Sequence, residues 1–209
     1  MKSLISAYRK KRSNIKKRLK EFESPYKKDE DLFTELCFCI LTPQSKAVSC
    51  DKAVKELKKE DLLSGGTARR IRCKLKGLAR FHNKKADYLI AARRIFKNNK
   101  KFEVNKKLDR NDVLKTREWL VKNIKGLGYK ESSHFLRNIG LGRDIAILDV
   151  HILRNLKRLG VIEKIPASLN RKTYIETENR MREFAKKIKI PLGELDLLFW
   201  SNATGFIFK

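Results

Sequence analysis

The residue with the clearest chemical potential is Lys130, which follows a Gly-Leu-Gly turn in the stretch "IKGLGYKESSHF", residues 124–135. A primary amine there can bind a phosphate or, as the free base, attack an electrophilic carbon. Lys130 would begin a helix, where the positive end of the helix dipole disfavours an ammonium and favours the free amine. Two interpretations follow from the residue alone: a solvated lysine on a basic face, and a nucleophile.

A carboxylate that belongs with this amine is Asp149, 19 positions later in the otherwise apolar stretch "ILDVHIL". It stands where another helix should start, and Asp is common at helix N-caps. A capping bond fixes the direction of the carboxylate. The cap interpretation is therefore compatible with a chemical role beside Lys130.

The stretch "VKNIKGLGYKES" fits a helix-hairpin-helix pattern, which we place at about residues 118–140. Leu127 should plug the core, while Gly126 and Gly128 should supply backbone geometry that other residues resist. Free N–H groups in such a turn bind anions, so the turn and Lys125 are predicted to grip phosphates without reading sequence. A dinucleotide-binding turn is excluded because no third glycine follows, and a P-loop because the Gly-Lys-Ser/Thr ending is missing.

The overall charge points to a polyanionic partner. Among 209 residues, 51 are Lys or Arg and 24 are Asp or Glu, which gives a formal net charge of +27. Nucleic acid is the first partner to consider and an anionic membrane surface the second. The membrane alternative is weaker, because no stretch approaches the ~18 apolar residues of a spanning helix. The N-terminus reads as a basic amphipathic helix rather than a signal peptide, so we expect a cytoplasmic protein.

The cysteines do not form a metal-binding pattern. Cys37, Cys39, Cys50 and Cys73 include no CxxC pair and no histidine at metal spacing. We therefore expect buried, reduced thiols rather than zinc or an iron–sulfur cluster. No metal and no cofactor is required.

Helical periodicity dominates the chain and predicts an all-α fold, with at most a short strand or two in the loops. The stretch "LFTELCFCIL" is apolar almost all round and should be a core helix. Residues 83–97 should form an amphipathic helix with basic residues on its solvent side. Its core side is assigned to Ala86, Leu89, Ile90 and Ile95.

Together, "IKGLGYKESSHFLRNIG" and "AILDVHIL" resemble the helix-hairpin-helix DNA glycosylases, and more narrowly the archaeal-type 8-oxoguanine DNA glycosylase/AP lyases. The resemblance runs from "LFTELCFCILT" to the last residue and is strongest over 121–158. It implies one unit over 1–209, made of two interleaved helical lobes with the active-site cleft between them. No cysteine follows Cys73, which excludes the iron–sulfur branch. Ser132 stands where the hairpin pattern prefers alanine, but it is still small.

The resemblance also implies a reaction. Lys130 would attack the anomeric carbon of a flipped-out 8-oxoguanine nucleotide in duplex DNA, with Asp149 assisting. A Schiff base would form, and β-elimination would then nick the strand. The implied partner is double-stranded DNA containing 8-oxoguanine or abasic sites, bound by a monomer associated with the nucleoid.

Other site residues are implied less directly. Relatives carry an amide at the position of Gln44 to hydrogen-bond the orphaned base, and the alternative is an exposed turn residue. Phe81, flanked by basic residues, suits a wedge between base pairs, and the alternative is a core phenylalanine. His134 is interpreted as a packing histidine. A monovalent cation is a further candidate, on carbonyls of the hairpin: Lys122, Ile124 and Leu127.

The C-terminal stretch "LDLLFWSNATGFIFK" is too apolar for a frayed tail. Trp200 would stack on the extruded purine. The α-carboxylate of Lys209, positioned by Phe206 and Phe208, would accept N–H groups of the base edge. The alternative for Lys209 is a surface lysine.

Three other functions compete with this hypothesis. A helical hairpin module without chemistry explains the charge and the turn, but not the spacing of Lys130 and Asp149. An RNA-binding or ribosome-associated protein is supported by charge alone. Within the enzyme hypothesis, the lesion could instead be an oxidised pyrimidine.

Overall fold

The computed structural model describes residues 2–23, 28–205 and 207. In these residues all regular secondary structure except one short two-stranded sheet is helical, which confirms the predicted all-α class. The helices are α1 (Lys2–Glu23), α2 (Asp29–Leu41), α3 (Ala47–Lys59), α4 (Leu62–Gly65), α5 (Ala68–Leu75), α6 (His82–Phe96), α7 (Val113–Asn123), α8 (Tyr129–Leu136), α9 (Val150–Arg158), α10 (Arg171–Lys187) and α11 (Leu192–Thr204). None of these described helices is long and apolar enough to cross a bilayer.

Four short elements complete the secondary structure of the described residues. Strands β1 (Lys97–Asn98) and β2 (Lys101–Phe102) pair antiparallel, with Lys97 opposite Phe102. A 3₁₀ turn covers Asn105–Lys107, and a π-helical segment covers Arg137–Leu141. The backbone leaves helical dihedrals inside that last segment, at Ile139 and Gly140.

The chain divides into two compact units. The central unit is Pro25–Phe135, and the terminal unit combines Met1–Ser24 with Leu136–Lys209. Both ends of the chain thus belong to one unit, and the middle of the chain forms the other.

In the central unit, α2 is the core helix that its composition predicts. Every residue from Leu32 to Leu41 except Thr34 is buried. The helix packs against α3, α6 and β2. The Phe33 ring stacks on Phe102 with centroids 4.1 Å apart and meets the edge of Phe96 at 6.3 Å. Because α2 is apolar on all sides, the other helices of this unit can bury their own apolar faces against it or its neighbours.

The apolar face of α6 differs from the prediction. Its buried residues are Lys85, Ala86, Leu89, Ala92 and Phe96. Ile95, assigned to the core, is exposed, because the buried stripe advances by three or four residues and reaches Phe96 instead. Lys85, assigned to the basic solvent side, lies on this stripe and is only 4% exposed.

One cysteine also differs from the prediction. Cys37, Cys39 and Cys50 are buried free thiols, but Cys73 is exposed. Cys73 lies midway between Ile71 and Leu75, which form the buried face of α5. A residue two positions away from both members of an i, i+4 pair points to the opposite side of the helix.

In the terminal unit, α11 is the central helix, and α1, α9 and α10 pack against it. The basic helix α1 is amphipathic, as predicted, and it buries Leu4, Tyr8, Ile15 and Phe22 on one face. Tyr8 donates a hydrogen bond of 2.6 Å from its hydroxyl to Glu194 Oε2. Burial and the Glu194 carboxylate raise the pKa of Tyr8 to about 12, so the phenol keeps its proton at neutral pH.

Candidate active site

The hairpin motif is two helices joined by a five-residue turn. Helix α7 ends at Asn123, and the Ile124 N–H still bonds to Leu120 O at 2.9 Å. The turn then closes through Leu127 N–H to Ile124 O at 3.2 Å, and α8 begins at Tyr129. The side chains of Ile124 and Leu127 are buried. The apolar positions of the motif therefore anchor the turn, as the pattern predicts.

Gly126 cannot be replaced by another residue without strain in this turn. Its φ of +89° lies in the left-handed region, and a Cβ there would stand 2.6 Å from Cδ2 of Tyr88. Gly128 does not have a left-handed φ, and an added Cβ would approach only the flexible Glu131 carboxylate at 3.2 Å. The predicted need for special backbone geometry is thus confirmed at Gly126 and wrong at Gly128.

A buried arginine holds the two helices of the hairpin together. Arg117 of α7 is 2% exposed and donates from Nη1 to Ser133 Oγ of α8 at 3.2 Å. Its guanidinium also lies 5.7 Å from the centre of the Tyr129 ring, a cation–π distance. The first turn of α8 is therefore fixed to α7 by a charged side chain as well as by apolar packing.

Lys130 lies in this first turn of α8. Its side chain is 27% exposed, and Nζ lies 3.0 Å from Oε1 of Glu131. The other carboxylate oxygen, Oε2, accepts the Gly128 N–H at 3.2 Å. The Glu131 carboxylate therefore connects the candidate nucleophile to a backbone N–H of the turn. An incoming phosphate would compete with Glu131 for that N–H.

Asp149, in the terminal unit, is the N-cap of α9. Its Oδ1 accepts the N–H groups of His151 at 2.8 Å and Ile152 at 2.9 Å. The side chain is partly exposed. The N-cap geometry expected from the sequence is present, and it sets the direction of the carboxylate.

The non-helical segment before Asp149, residues 145–148, is held by buried side chains from α10 and α11. Ala146 N–H donates to Glu178 Oε1 at 2.9 Å, and Ile147 N–H donates to Asp196 Oδ1 at 2.9 Å. The Tyr174 hydroxyl accepts the Leu148 N–H at 3.2 Å and donates to Ala146 O at 2.7 Å. Three consecutive backbone N–H groups thus have side-chain partners, which fixes the approach to Asp149.

Asp196 is itself paired. Arg137 donates from Nη1 to Asp196 Oδ2 at 3.0 Å, and both side chains are buried. Burial raises the pKa of Asp196 to about 6, although the Arg137 guanidinium and the Ile147 N–H oppose the shift. Glu178, Asp196 and Tyr174 were not predicted from the sequence. A signal was available for Asp196, which with Glu194 is one of two carboxylates in the otherwise apolar stretch "GELDLLFW".

Two predicted contact residues lie on exposed turns of the central unit. Gln44 follows α2 with a φ of 53°, and Phe81 precedes α6 with a φ of 56°. Gln44 is exposed, and Phe81 is 55% exposed, so it is not a core phenylalanine. In the hairpin, Lys122 and Lys125 are exposed, and the Ile124 carbonyl proposed for a cation already accepts the Leu127 N–H.

The remaining predicted residues are distributed over both units. Trp200 lies on α11 and is partly exposed. Lys209, with Phe206 and Phe208, lies outside the described residues. His134 is buried and meets the edge of the Phe38 ring at 5.5 Å, as expected of a packing histidine.

We predict that Gly126→Ala destabilises the protein more than Gly160→Ala. Both glycines have a positive φ, but a Cβ at Gly160 would meet nothing within 4 Å, whereas one at Gly126 would collide with Tyr88. Each replacement carries the left-handed penalty of about 1 kcal/mol, and only Gly126→Ala adds a clash of about 1–3 kcal/mol. Urea unfolding of both variants measures the difference. Equal losses would mean that Tyr88 moves away at no cost.

The raised pKa of Asp196 predicts a pH-dependent term in stability. An aspartate whose folded-state pKa is raised contributes stability at low pH that is lost as the pH rises from about 4 through about 6. Unfolding free energies of the natural protein and Asp196→Asn, measured from pH 4 to 8, isolate this term. The unfolding free energy of the natural protein minus that of Asp196→Asn should fall between about pH 4 and about pH 6 and stay level at higher pH. A difference that rises with pH would show that Arg137 lowers this pKa instead.

Comparison with known proteins identifies the family. The family model described as 8-oxoguanine DNA glycosylase matches residues 15–190. The 8-oxoguanine DNA glycosylase/AP lyase of Fusobacterium nucleatum is 46% identical over 207 residues, covering 97% of this chain and 94% of that protein. The protein of the same name from Methanocaldococcus jannaschii is 43% identical over 197 residues, covering 93% and 91%.

Solved structures agree with this relationship. The 8-oxoguanine DNA glycosylase of Thermotoga maritima superposes with a TM-score of 0.88 at 34% identity, covering 100% of this chain and 97% of that one. The Methanocaldococcus jannaschii glycosylase/lyase, solved with a 15-mer DNA containing 8-oxoguanine, gives 0.87 at 40% identity, with full coverage of both chains. This chain has a helix-hairpin-helix motif and is similar to these proteins over nearly its whole length. It therefore belongs to the 8-oxoguanine DNA glycosylase family.

Proposed function

We propose that this chain is a bifunctional DNA repair enzyme that excises 8-oxoguanine from duplex DNA and then cleaves the strand at the resulting abasic site. The relatives that carry this name match nearly the full length of the chain. The observation that carries the proposal is the position of Lys130. Its amine lies in the first turn of the helix that follows the hairpin, and the Glu131 carboxylate links it to the Gly128 N–H, for which a phosphate would compete.

The proposed chemistry needs only an amine and an acid–base partner. The lone pair of Lys130 Nζ forms a bond to C1′ of the damaged nucleotide. The N-glycosidic bond breaks, and its electrons leave with the base, which takes up a proton. The sugar ring then opens to a Schiff base between Nζ and C1′. Loss of a C2′ proton expels the 3′ phosphate by β-elimination, and water later hydrolyses the Schiff base.

Asp149 is proposed as the carboxylate that assists this reaction. Among the described residues, both N–H groups bonded to its side chain go to Oδ1, which leaves Oδ2 for the amine or the sugar. Two sets of hydrogen bonds fix the direction of this carboxylate: those of the α9 N-cap, and those that hold residues 145–148 before it. A carboxylate fixed in this way stabilises positive charge that develops on the sugar without reorganising during the reaction.

Gln44 and Phe81 are proposed to fill the space that the extruded nucleotide leaves. Flipping a base costs a few kcal/mol of stacking and pairing, and an inserted side chain offsets part of it. Both side chains are on exposed turns, which supports the proposal. Gln44 would hydrogen-bond the orphaned base, and Phe81 would wedge between base pairs.

Trp200 and the C-terminal carboxylate of Lys209 are proposed to bind the extruded base. Stacking on an indole recognises a purine face, and a carboxylate accepts a base N–H. 8-Oxoguanine carries a proton on N7 that guanine lacks, so an acceptor at this edge would favour the lesion. Lys125, Gly126 and Gly128 would grip the phosphate backbone, with a monovalent cation on the turn carbonyls as an optional addition.

The net charge of +27 fits duplex DNA with 8-oxoguanine or abasic sites as the partner. We propose a monomer that works on the nucleoid in the cytoplasm. A hairpin module without chemistry would explain the charge but would give the amine and the carboxylate no task.

Lys130→Gln should abolish excision, with a loss of at least about a thousand-fold, because no other group supplies the nucleophile. Borohydride should trap a covalent complex between the natural protein and a duplex containing 8-oxoguanine, and none with the variant. Lys115→Gln, an exposed lysine on the neighbouring α7, is the matched control and should still trap. If Lys130→Gln were still trapped, Lys130 would not be the nucleophile. If the natural protein were trapped only with duplexes that contain an oxidised pyrimidine, the substrate would be an oxidised pyrimidine rather than 8-oxoguanine.

Removing Lys209, or extending the chain by a few residues after it, should separate the two activities. Either change removes the α-carboxylate from the base edge, so excision of 8-oxoguanine should fall at least about ten-fold. Strand cleavage at a ready-made abasic site has no base to recognise and should stay near the natural rate. Equal loss of both activities, or of neither, would exclude a base-reading terminus.

A further inference from the structure

A buried lysine in the central unit has no role in the proposed reaction. Lys85 lies in the first turn of α6 and is 4% exposed. Its Nζ donates to Leu41 O at 2.7 Å, Pro43 O at 2.7 Å and Ser45 Oγ at 2.9 Å. An ammonium has three N–H groups, and all three are used here. Lys85 therefore has no donor left for a phosphate, unlike a lysine on a basic surface.

The three acceptors of Lys85 surround one residue. Pro43 and Ser45 are the neighbours of Gln44 on either side, and Leu41 is the last residue of α2. The turn is closed further by Ser45 N–H to Thr42 O at 3.0 Å. Gln44 itself is in the left-handed conformation, which a residue with a Cβ adopts at a cost. Such a conformation persists where the surrounding bonds over-determine it, and Lys85 supplies those bonds.

Lys85 is also linked to the turn that carries Phe81, through Ser45 and through its own backbone N–H. Ser45 Oγ, which accepts a bond from Lys85, accepts the backbone N–H of Arg80 at 2.9 Å as well. The Lys85 backbone N–H bonds to Phe81 O at 3.0 Å. Phe81 is the second residue of this unit proposed to enter DNA, and it too has a left-handed φ, of 56°. Lys85 and Ser45 thus connect two turns that are 37 positions apart in the chain, Gln44 to Phe81.

Burying the charged Lys85 side chain costs free energy of hydration. Burial lowers the pKa of Lys85, because a charged amine loses its hydration there. A chain that only needed a filled core could place an apolar side chain at this position. What an apolar residue cannot do is bind two carbonyls and a hydroxyl at once and hold the turns between them.

We propose that Lys85 is a positioning residue that locks the Gln44 and Phe81 turns into one rigid unit, so that both side chains enter the duplex together when the damaged base leaves. The proposal rests on the insertion roles of Gln44 and Phe81 under the proposed function. It assigns Lys85 no contact with DNA and no part in bond breaking. Its effect is confined to the extrusion step.

The test uses the full chain with Lys85→Met, and Lys84→Met as the matched control. Lys84 is the exposed neighbour, so the control loses the same charge but none of the three bonds. Two reactions are measured: single-turnover excision of 8-oxoguanine from a duplex, and strand cleavage at an abasic site in a single-stranded oligonucleotide. The second substrate has no base to extrude and no partner strand. Lys85→Met should lower the rate of duplex excision at least ten-fold and the rate of single-strand cleavage less than two-fold. For Lys84→Met, the ratio of these two rates should equal that of the natural protein.

A second variant covers a folding defect in Lys85→Met. Ser45→Ala removes only the hydroxyl that joins the two turns, and it should lower duplex excision three- to ten-fold while sparing cleavage of the single strand. A 2-aminopurine placed opposite the lesion should show a slower or smaller fluorescence rise on binding either variant. Parallel losses in both reactions, with an unchanged melting temperature, would overturn the proposal. So would natural extrusion kinetics in both variants.

Gln44→Ala and Phe81→Ala show which hypothesis has failed. If both excise at the natural rate, the insertion roles under the proposed function are wrong and Lys85 has nothing to position. If both are defective in extrusion while Lys85→Met and Ser45→Ala are normal, the insertion roles stand and the positioning role of Lys85 is wrong. A shared defect in all four variants supports the lock.

Discussion

The constraint on which the rest of this structure depends is that a backbone N–H or C=O removed from water must find a partner. Helices satisfy it internally except at their ends, and in this chain Lys130, Asp149, Gln44 and Phe81 lie in first turns, at caps or in turns between helices. In this chain buried polar side chains close those gaps. Glu178, Asp196 and Tyr174 do so before Asp149, and Lys85 does so around Gln44.

In the described part of the chain, three buried cations fix segments that carry proposed site residues. Arg117 connects the helices of the hairpin, Arg137 binds the Asp196 that holds the segment before Asp149, and Lys85 binds the turn after α2. Each acts within one compact unit: Lys85 binds backbone carbonyls at the turn after α2, whereas Arg117 and Arg137 bind side chains on α8 and α11. Arg and Lys suit this task because they carry several donors on a long stem and can bind carbonyl, hydroxyl and carboxylate oxygens.

The sequence could predict the elements whose pattern is local. The hairpin turn, the Asp149 cap and the core helix α2 follow from motif, capping preference and apolar content, and Ile124 and Leu127 are buried as the motif requires. The positions of Ile95, Cys73 and Lys85 could not be predicted as readily, since a shift of one residue moves a side chain about 100° around a helix. Residues such as Tyr174 and Asp196 act on backbone 26 and 49 positions away, and no local pattern encodes such pairs.

With 51 basic residues, charge alone cannot separate a lysine that binds phosphate from one that holds the fold. In the structure, the burial of the neighbouring residues on the helix separates the two kinds of lysine or arginine. Lys85 shares its face with Ala86, Leu89 and Ala92, and Arg117 is one residue from Thr116 and three from Leu120, all of them buried. A cation on an apolar stripe gives up hydration, which is costly unless several acceptors meet it. Such a cation therefore marks a segment whose backbone must be held still, and in this chain those segments carry the residues proposed for the reaction.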